Sequence, residues 1–345
     1  MIGGTDPASS AHLVEYGVPG FENLLLDEWL SVRAYDKSRI KIRELMTAVS
    51  AHSRAGKMQG RAKPLVVFLI ALLFVGCTSV QQVSRAPVAE CSILTSFSSN
   101  GFHESALVTF PSDGLRIGAF LVKPKGVGPF PAYVYNHGAM TREQAAGPLW
   151  NVAGEMGSKL AAAGYVVMRP ARRGYLRSEG RTTTYWVRGS KLRVSDVIAG
   201  AYDEARDVQT AVEYLTGCPF VDRQRIAIGG HSLGGLVTVI AAAKQADLAG
   251  VVSVNGGISW TQNGIEQGLP AVRSVWRAEA AHLSAPVLLL HGRDDAVITP
   301  NLSRELARLL QDRGVPVTLK IYPGDHYMIP LDEIVQFLDA TVKAR

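Results

Sequence analysis

A chain of 345 residues, 47% hydrophobic and 19% charged, carries enough apolar material for a large core and is neither disordered nor fibrous. Its formal net charge of +6 is small for this length and gives no reason to expect nucleic acid as a partner. The three cysteines, Cys77, Cys91 and Cys218, form no C-x-x-C pair and no disulfide-rich framework, and H-E-x-x-H and G-x-x-x-x-G-K are both missing, so neither a metal nor a nucleotide cofactor is expected.

Residues 1–57 include stretches that can form helix, such as Leu24–Leu30 and Ser38–Val49, but nothing that predicts a core. Met58, Arg61 and Lys63 then precede the unbroken apolar run Leu65–Val75. That run falls short of the roughly 20 residues a membrane-spanning helix needs, and it fits the apolar region of a signal peptide behind a basic start. Such a signal works at a true N-terminus. Translation is therefore expected to begin at Met58 (Met46 is the weaker choice), with 1–57 an over-extended reading and 58–76 the signal. A cytoplasmic segment ahead of a short anchor is the competing reading. The run closes as Leu73-Phe74-Val75-Gly76-Cys77, which resembles a bacterial lipoprotein lipobox except that Phe74 stands where leucine is usual. The resemblance implies lipidation of Cys77, attachment to a membrane and, from Thr78 and Ser79, an outer-membrane destination. A plain cleaved signal and a soluble periplasmic protein is the alternative. Residues 77–99 are expected to be a tether, polar over Gln81–Ala89, and 100–345 the folded domain.

Within that domain, Ser105–Phe110 and Leu115–Lys123 read as paired strands joined by the turn Pro111-Ser112-Asp113-Gly114. Ala132–Asn136 reads as a buried strand, Leu149–Ala163 as a helix ended by Gly164, and Tyr165–Met168 as the next strand. A helix over Ile198–Leu215 leads to a strand at Ile226–Ile228 and a helix over Leu236–Ala243. Strand Gly250–Val254, an irregular stretch Asn255–Ser284 and strand Pro286–Leu290 follow. The chain closes with helix Leu302–Arg313, strand Val317–Ile321 and helix Ile329–Ala340. Strands alternating with helices of this length predict an α/β fold: a mostly parallel sheet of about eight strands, covered by helices on both faces.

Gly230-His231-Ser232-Leu233-Gly234 sits between a strand and a helix and matches G-x-S-x-G, a turn that lifts a serine hydroxyl clear of a sheet. Residues two before and two after the serine crowd neighbouring backbone, which is why glycine is needed there. A serine nucleophile needs an imidazole base held by a carboxylate. Two later strand ends supply candidates: His291-Gly292-Arg293-Asp294-Asp295 and Tyr322-Pro323-Gly324-Asp325-His326. The order is Ser232, then Asp295 or Asp294, then His326, each past a different strand.

Together with Tyr135-Asn136-His137-Gly138-Ala139, Arg173-Gly174-Tyr175-Leu176-Arg177-Ser178-Glu179-Gly180 and Val221-Asp222-Arg223-Gln224-Arg225-Ile226, these stretches make the chain from about residue 100 onward resemble the α/β-hydrolases, closest in layout to dienelactone hydrolase-like and prolyl-oligopeptidase-like esterases. The resemblance implies a fold with a small cap, Asp295 as the acid, and an oxyanion hole from the backbone N–H groups of Leu233 and of the loop His137-Gly138-Ala139-Met140, with Ala139 preferred and Met140 behind it. His137 is expected to order that loop and His231 to pack beside the turn. Dienelactone hydrolases proper use cysteine where this chain has Ser232, so their lactone substrate does not transfer.

Arg169, Arg172, Arg173, Arg177, Arg181, Arg188, Lys191 and Arg193 face a single acid, Glu179, and suggest either a basic rim for anionic esters or lipid, or a solvated loop with Arg173 tied down. Tyr185 and Trp186 could line a pocket there. Trp260, Leu269, Val272 and Trp276 mark the small cap. Cys91 and Cys218 could pair in an oxidising compartment, although sequence does not place them within bonding distance. The function expected is a cell-envelope serine esterase acting on a small-molecule ester, against a peptidase or thioesterase on the same fold, or a non-catalytic binding protein.

Overall fold

The computed structural model describes residues 91, 93, 97–99, 103–140, 154–176, 178–183, 193–259, 261–262 and 265–345. Met58, the signal 58–76, Cys77 and most of the tether lie outside the described residues, as do Arg177, Tyr185, Trp186, Arg188, Lys191 and Trp260.

The chain order is β1 (Ser98–Ser99), β2 (His103–Ser112), β3 (Leu115–Pro124), β4 (Phe130–Asn136), α1 (Gly154–Ala162), β5 (Val166–Ala171), α2 (Val194–Thr216), β6 (Val221–His231), α3 (Leu233–Ala242), β7 (Gly250–Val254), the short hairpin β8 (Thr261–Gln262) and β9 (Ile265–Glu266), α4 (Gly268–Glu279), β10 (Val287–Gly292), α5 (Asn301–Gln311), β11 (Val317–Tyr322) and α6 (Leu331–Leu338). Among the described residues, nine strands form one sheet in the order β1-β2-β3-β5-β4-β6-β7-β10-β11. It is antiparallel from β1 to β5 and parallel from β5 to β11.

Burial explains the two halves. In β2 the residues Ala106, Val108, Phe110 and Ser112 alternate with more exposed neighbours, as a strand covered on one face should. In β7 and β10 every residue is buried, because helices cover both faces. One layer packs Met156 and Leu160 of α1 and Ile334 and Leu338 of α6 against Tyr133, Val167, Val252 and Leu288. The other packs residues of α2, α3, α4 and α5, among them Val208, Val237, Trp276 and Leu302, against Val134, Met168, Ile228, Val251 and Leu289. The period of two along each strand sends successive side chains to opposite layers.

The chain leaves β4 through α1 to reach β5 on one side, then crosses back along α2 to β6 on the other. The strand order therefore reverses between β4 and β6, the place where sheets of this kind bind ligands beyond the carboxyl ends of their strands.

Two expectations change, and one choice between readings is made. The domain starts before residue 100: Cys91 is disulfide-bonded to Cys218, Ile93 bridges Val108, and β1 pairs with β2, adding a ninth strand. The stretch Asn255–Ser284 is not irregular throughout, since α4 occupies Gly268–Glu279. Its buried residues Gly268, Ala271, Val272, Val275, Trp276 and Glu279 recur every three or four positions, a helical stripe mixed with polar residues. Of the two readings of the basic stretch, the one with Arg173 tied down is what the structure shows for that residue, and Arg172 is buried as well. The fully buried Arg172 side chain donates to Glu204 at 2.8 Å, and Arg173 forks onto Asp207 and reaches Asp113.

Candidate active site

Ser232 stands between the last residue of β6 and the first of α3, with φ 56° and ψ −124°. A non-glycine residue pays for that backbone, so its surroundings must hold it. Ser232 N–H donates to the Val254 carbonyl at 2.9 Å, and the Ser232 carbonyl accepts from Gly235, Leu236 and Gly257 N–H groups. The flanking glycines are steric requirements. A Cβ on Gly230 would strike the Gly234 carbonyl and Thr238, and one on Gly234 would strike the carbonyl oxygens of Asn136 and His137.

β10 and β11 carry the other two groups to the same edge. His326 Nε2 lies 2.9 Å from Ser232 Oγ, and its Nδ1 lies 2.7 Å from Asp295 Oδ2. A buried carboxylate facing Nδ1 fixes the tautomer: Nδ1–H donates to Asp295, and Nε2 is left to accept the serine proton. Asp295 Oδ1 accepts the Val297 and Ile298 N–H groups, each at 2.8 Å, so the carboxylate is turned by its own loop. Of the two aspartates left open by the strand-end pattern, Asp295 is the one turned inward; Asp294 is exposed beside Arg293.

Three further histidines surround this line. Buried His291 donates from Nε2 to the Ile298 carbonyl at 2.9 Å, also approaches Asp295 Oδ2 at 3.3 Å, and accepts from Ser303 Oγ at Nδ1. Its pKa is lowered, first by burial. His231 donates from Nε2 to the His326 carbonyl at 2.6 Å; burial lowers its pKa too. His137 donates from Nδ1 to the Gly138 carbonyl at 2.7 Å and sits edge-on to Tyr175, 4.7 Å between centroids. Burial, then the Arg172 charge, holds it well below the ordinary range.

Leu233 opens α3, where the first N–H groups have no partner within the helix and the positive end of the dipole gathers. The β4 loop comes close: a Cβ on Gly138 would lie 3.3 Å from Ser232 Cβ. Ala139 follows, exposed, and Met140 packs against Ala171, Tyr175 and Leu176. The residue that reading the sequence missed is Asn255. It is fully buried at the end of β7 and hydrogen-bonds to both the Asp295 loop and the His326 loop. Its sequence signal was slight: a polar residue between a buried strand and Gly256-Gly257. Among the described residues no group of three or more His, Cys, Asp or Glu is placed to hold a metal.

Residues 117–328, more than half of the chain, match the dienelactone hydrolase family. The chain belongs to that family. YtmA of Bacillus subtilis (strain 168), named as an uncharacterized peptidase, is 25% identical over 260 residues, covering 69% of this chain and 93% of its own. Acyl-protein thioesterase 1 of Gibberella zeae is 28% identical over 119 residues, 33% of this chain, and the match spans only 47% of that relative. Among solved structures, an acetyl xylan esterase from Paenibacillus sp. R4 aligns with a TM-score of 0.56 at 18% identity, over 71% of this chain and 87% of its own. At that identity the likeness is one of fold. Membership and fold together make this family member a hydrolase of the α/β type.

Proposed function

We propose that this dienelactone hydrolase family member is a serine hydrolase that cleaves carboxylic esters through an acyl-enzyme. The observation that carries the reading is the unbroken line from Ser232 Oγ through His326 to Asp295, at 2.9 and 2.7 Å. In this reading His326 Nε2 takes the Ser232 proton as Oγ attacks the acyl carbon. The oxyanion accepts hydrogen bonds from the N–H groups of Leu233 and Ala139, with Met140 bracing the loop. His326 then returns the proton to the leaving alcohol. Water, activated by the same imidazole, releases the acid. Asp295 holds the ring and stabilises the imidazolium.

Ser232→Ala tests it. Turnover of p-nitrophenyl acetate should fall by about 10⁴-fold or more, and a fluorophosphonate should label the parent protein alone. Undiminished turnover in that variant, or no labelling of the folded parent, overturns the reading. The named peptidase among the relatives makes an amide counterpart of each ester the right companion substrate.

We further propose that the enzyme works in the cell envelope, anchored through lipidated Cys77. The Cys91–Cys218 disulfide supports an oxidising compartment. Cys77→Ser should move the protein from the detergent phase to the aqueous phase; unchanged partitioning sinks the anchor.

A further inference from the structure

Asn255 follows the last residue of β7 with a left-handed backbone, φ 49°, and a side chain with no exposed surface. Its Nδ2 donates to the His326 carbonyl at 2.8 Å and approaches the Asp325 carbonyl at 3.4 Å. Its Oδ1 accepts the Gly292 N–H at 2.8 Å. The amide orientation is fixed by its partners, since a backbone N–H only donates and a carbonyl only accepts. The Tyr322 hydroxyl lies 3.2 Å from the same Oδ1 and gives its proton to the Met328 carbonyl at 2.6 Å. The backbone joins in: Asn255 N–H donates to the Leu290 carbonyl, and the residue before it, Val254, accepts Ser232 N–H. One residue thus ties together the ends of β7, β10 and β11: β10 and β11 deliver the acid loop and the histidine loop, and the end of β7 holds the serine turn that β6 delivers.

We propose that Asn255 is a positioning residue that sets His326 against Ser232 and Asp295. The proposal rests on the serine hydrolase reading above. Two requirements meet at this position. The backbone must be left-handed, which glycine, asparagine and aspartate tolerate best. The side chain must also offer a donor and an acceptor about 2 Å apart, which among these three only asparagine does. The His326 carbonyl is held a second time by His231 Nε2, so both of its lone pairs are engaged and the loop cannot rotate without breaking a buried bond.

Two variants separate the requirements. Asn255→Gly keeps the backbone and loses every side-chain bond. Asn255→Asp keeps the acceptor for Gly292 and loses the donor to His326. Both should lower kcat on p-nitrophenyl acetate by about 10- to 100-fold with KM within about twofold, because a small misplacement of the base is felt in the transition state and not in binding. In both, the downfield proton resonance of the His326 imidazole N–H that faces Asp295 should shift or broaden, while near-ultraviolet circular dichroism reports the fold. A folded Asn255→Asp protein with kcat within about twofold of the parent and an unshifted imidazole proton overturns the proposal. If the glycine variant does not fold, the aspartate variant decides. Turnover surviving Ser232→Ala would sink the hydrolase reading. Loss of turnover there, with full turnover in Asn255→Asp, would sink the positioning role alone.

Discussion

Gly234 leaves no room beside the turn at Ser232. A Cβ at this residue would run into the carbonyl oxygens of Asn136 and His137, which are backbone and cannot swing aside. Gly234→Ala should therefore push β4 away from the turn, cost about 1–3 kcal/mol in urea unfolding, and lower any turnover of p-nitrophenyl acetate by moving the Gly138–Ala139 loop from Ser232. Stability and turnover both unchanged would show that β4 yields freely. At this scale much was legible in the sequence. Ser232, Asp295 and His326 each follow a strand, and a parallel sheet brings strand ends together, so their order was enough to place them side by side. Asn255 was not legible. Its part depends on a left-handed backbone and on three carbonyl and N–H groups that converge only after folding, and no spacing along the chain encodes that. His231 was expected only to pack beside the turn; its bond to the His326 carbonyl was invisible for the same reason.

Among the elements, α2 shows how the basic stretch is used. Arg173, in the loop after β5, forks onto Asp207 of α2; Asp207 also accepts from Ser112 at the end of β2, and Asp113 in the next turn reaches the same guanidinium. A helix, a hairpin and a strand end are pinned at one buried pair. Removing one partner leaves an uncompensated buried charge, so Arg173→Ala should cost about 3–5 kcal/mol, and Arg173→Lys should restore only part of it because an ammonium cannot fork. Urea unfolding of the two variants checks this; a neutral Arg173→Ala would mean that Asp207 finds another donor. Helix and strand periods carried most of the fold: β7 and β10 read as continuous apolar runs, and α2, α5 and α6 as amphipathic stretches. Boundaries moved because caps and pairing set them: β6 extends over Val221–His231, well past its apolar centre, by pairing with β4. The helix α4 was overlooked because Arg273, Ser274 and Arg277 interrupt an apolar stripe that only the angular period reveals.

At the scale of the whole molecule, the buried His137 and His291 and the partly buried His231 have pKa values below the ordinary 6.5, each mainly through desolvation. They fold neutral, whereas the unfolded chain protonates them as pH drops through 6.5. The unfolded state then binds more protons than the native one, so stability is full above pH 6.5 and declines as pH falls from there toward the lowered native values. Melting temperature should decrease between pH 7.5 and 5.5, a range above the titration of Asp222 and Asp339, whose pKa values are depressed below 3.8. The slope should be shallower in His291→Gln; an equal slope would remove His291 from the account. The Cys91–Cys218 bond acts on this scale in another way. It closes a covalent ring across a sequence separation of 127 and leaves the turn at Ser232 and both of its partners outside that ring. A single peptide cut anywhere between the two cysteines opens the ring without releasing a fragment, so the parts stay one molecule until a reductant is added. A cut between Cys218 and Ser232 has no such safeguard: only packing would then hold the proposed nucleophile, and the acid and histidine behind it, to the strands that precede them.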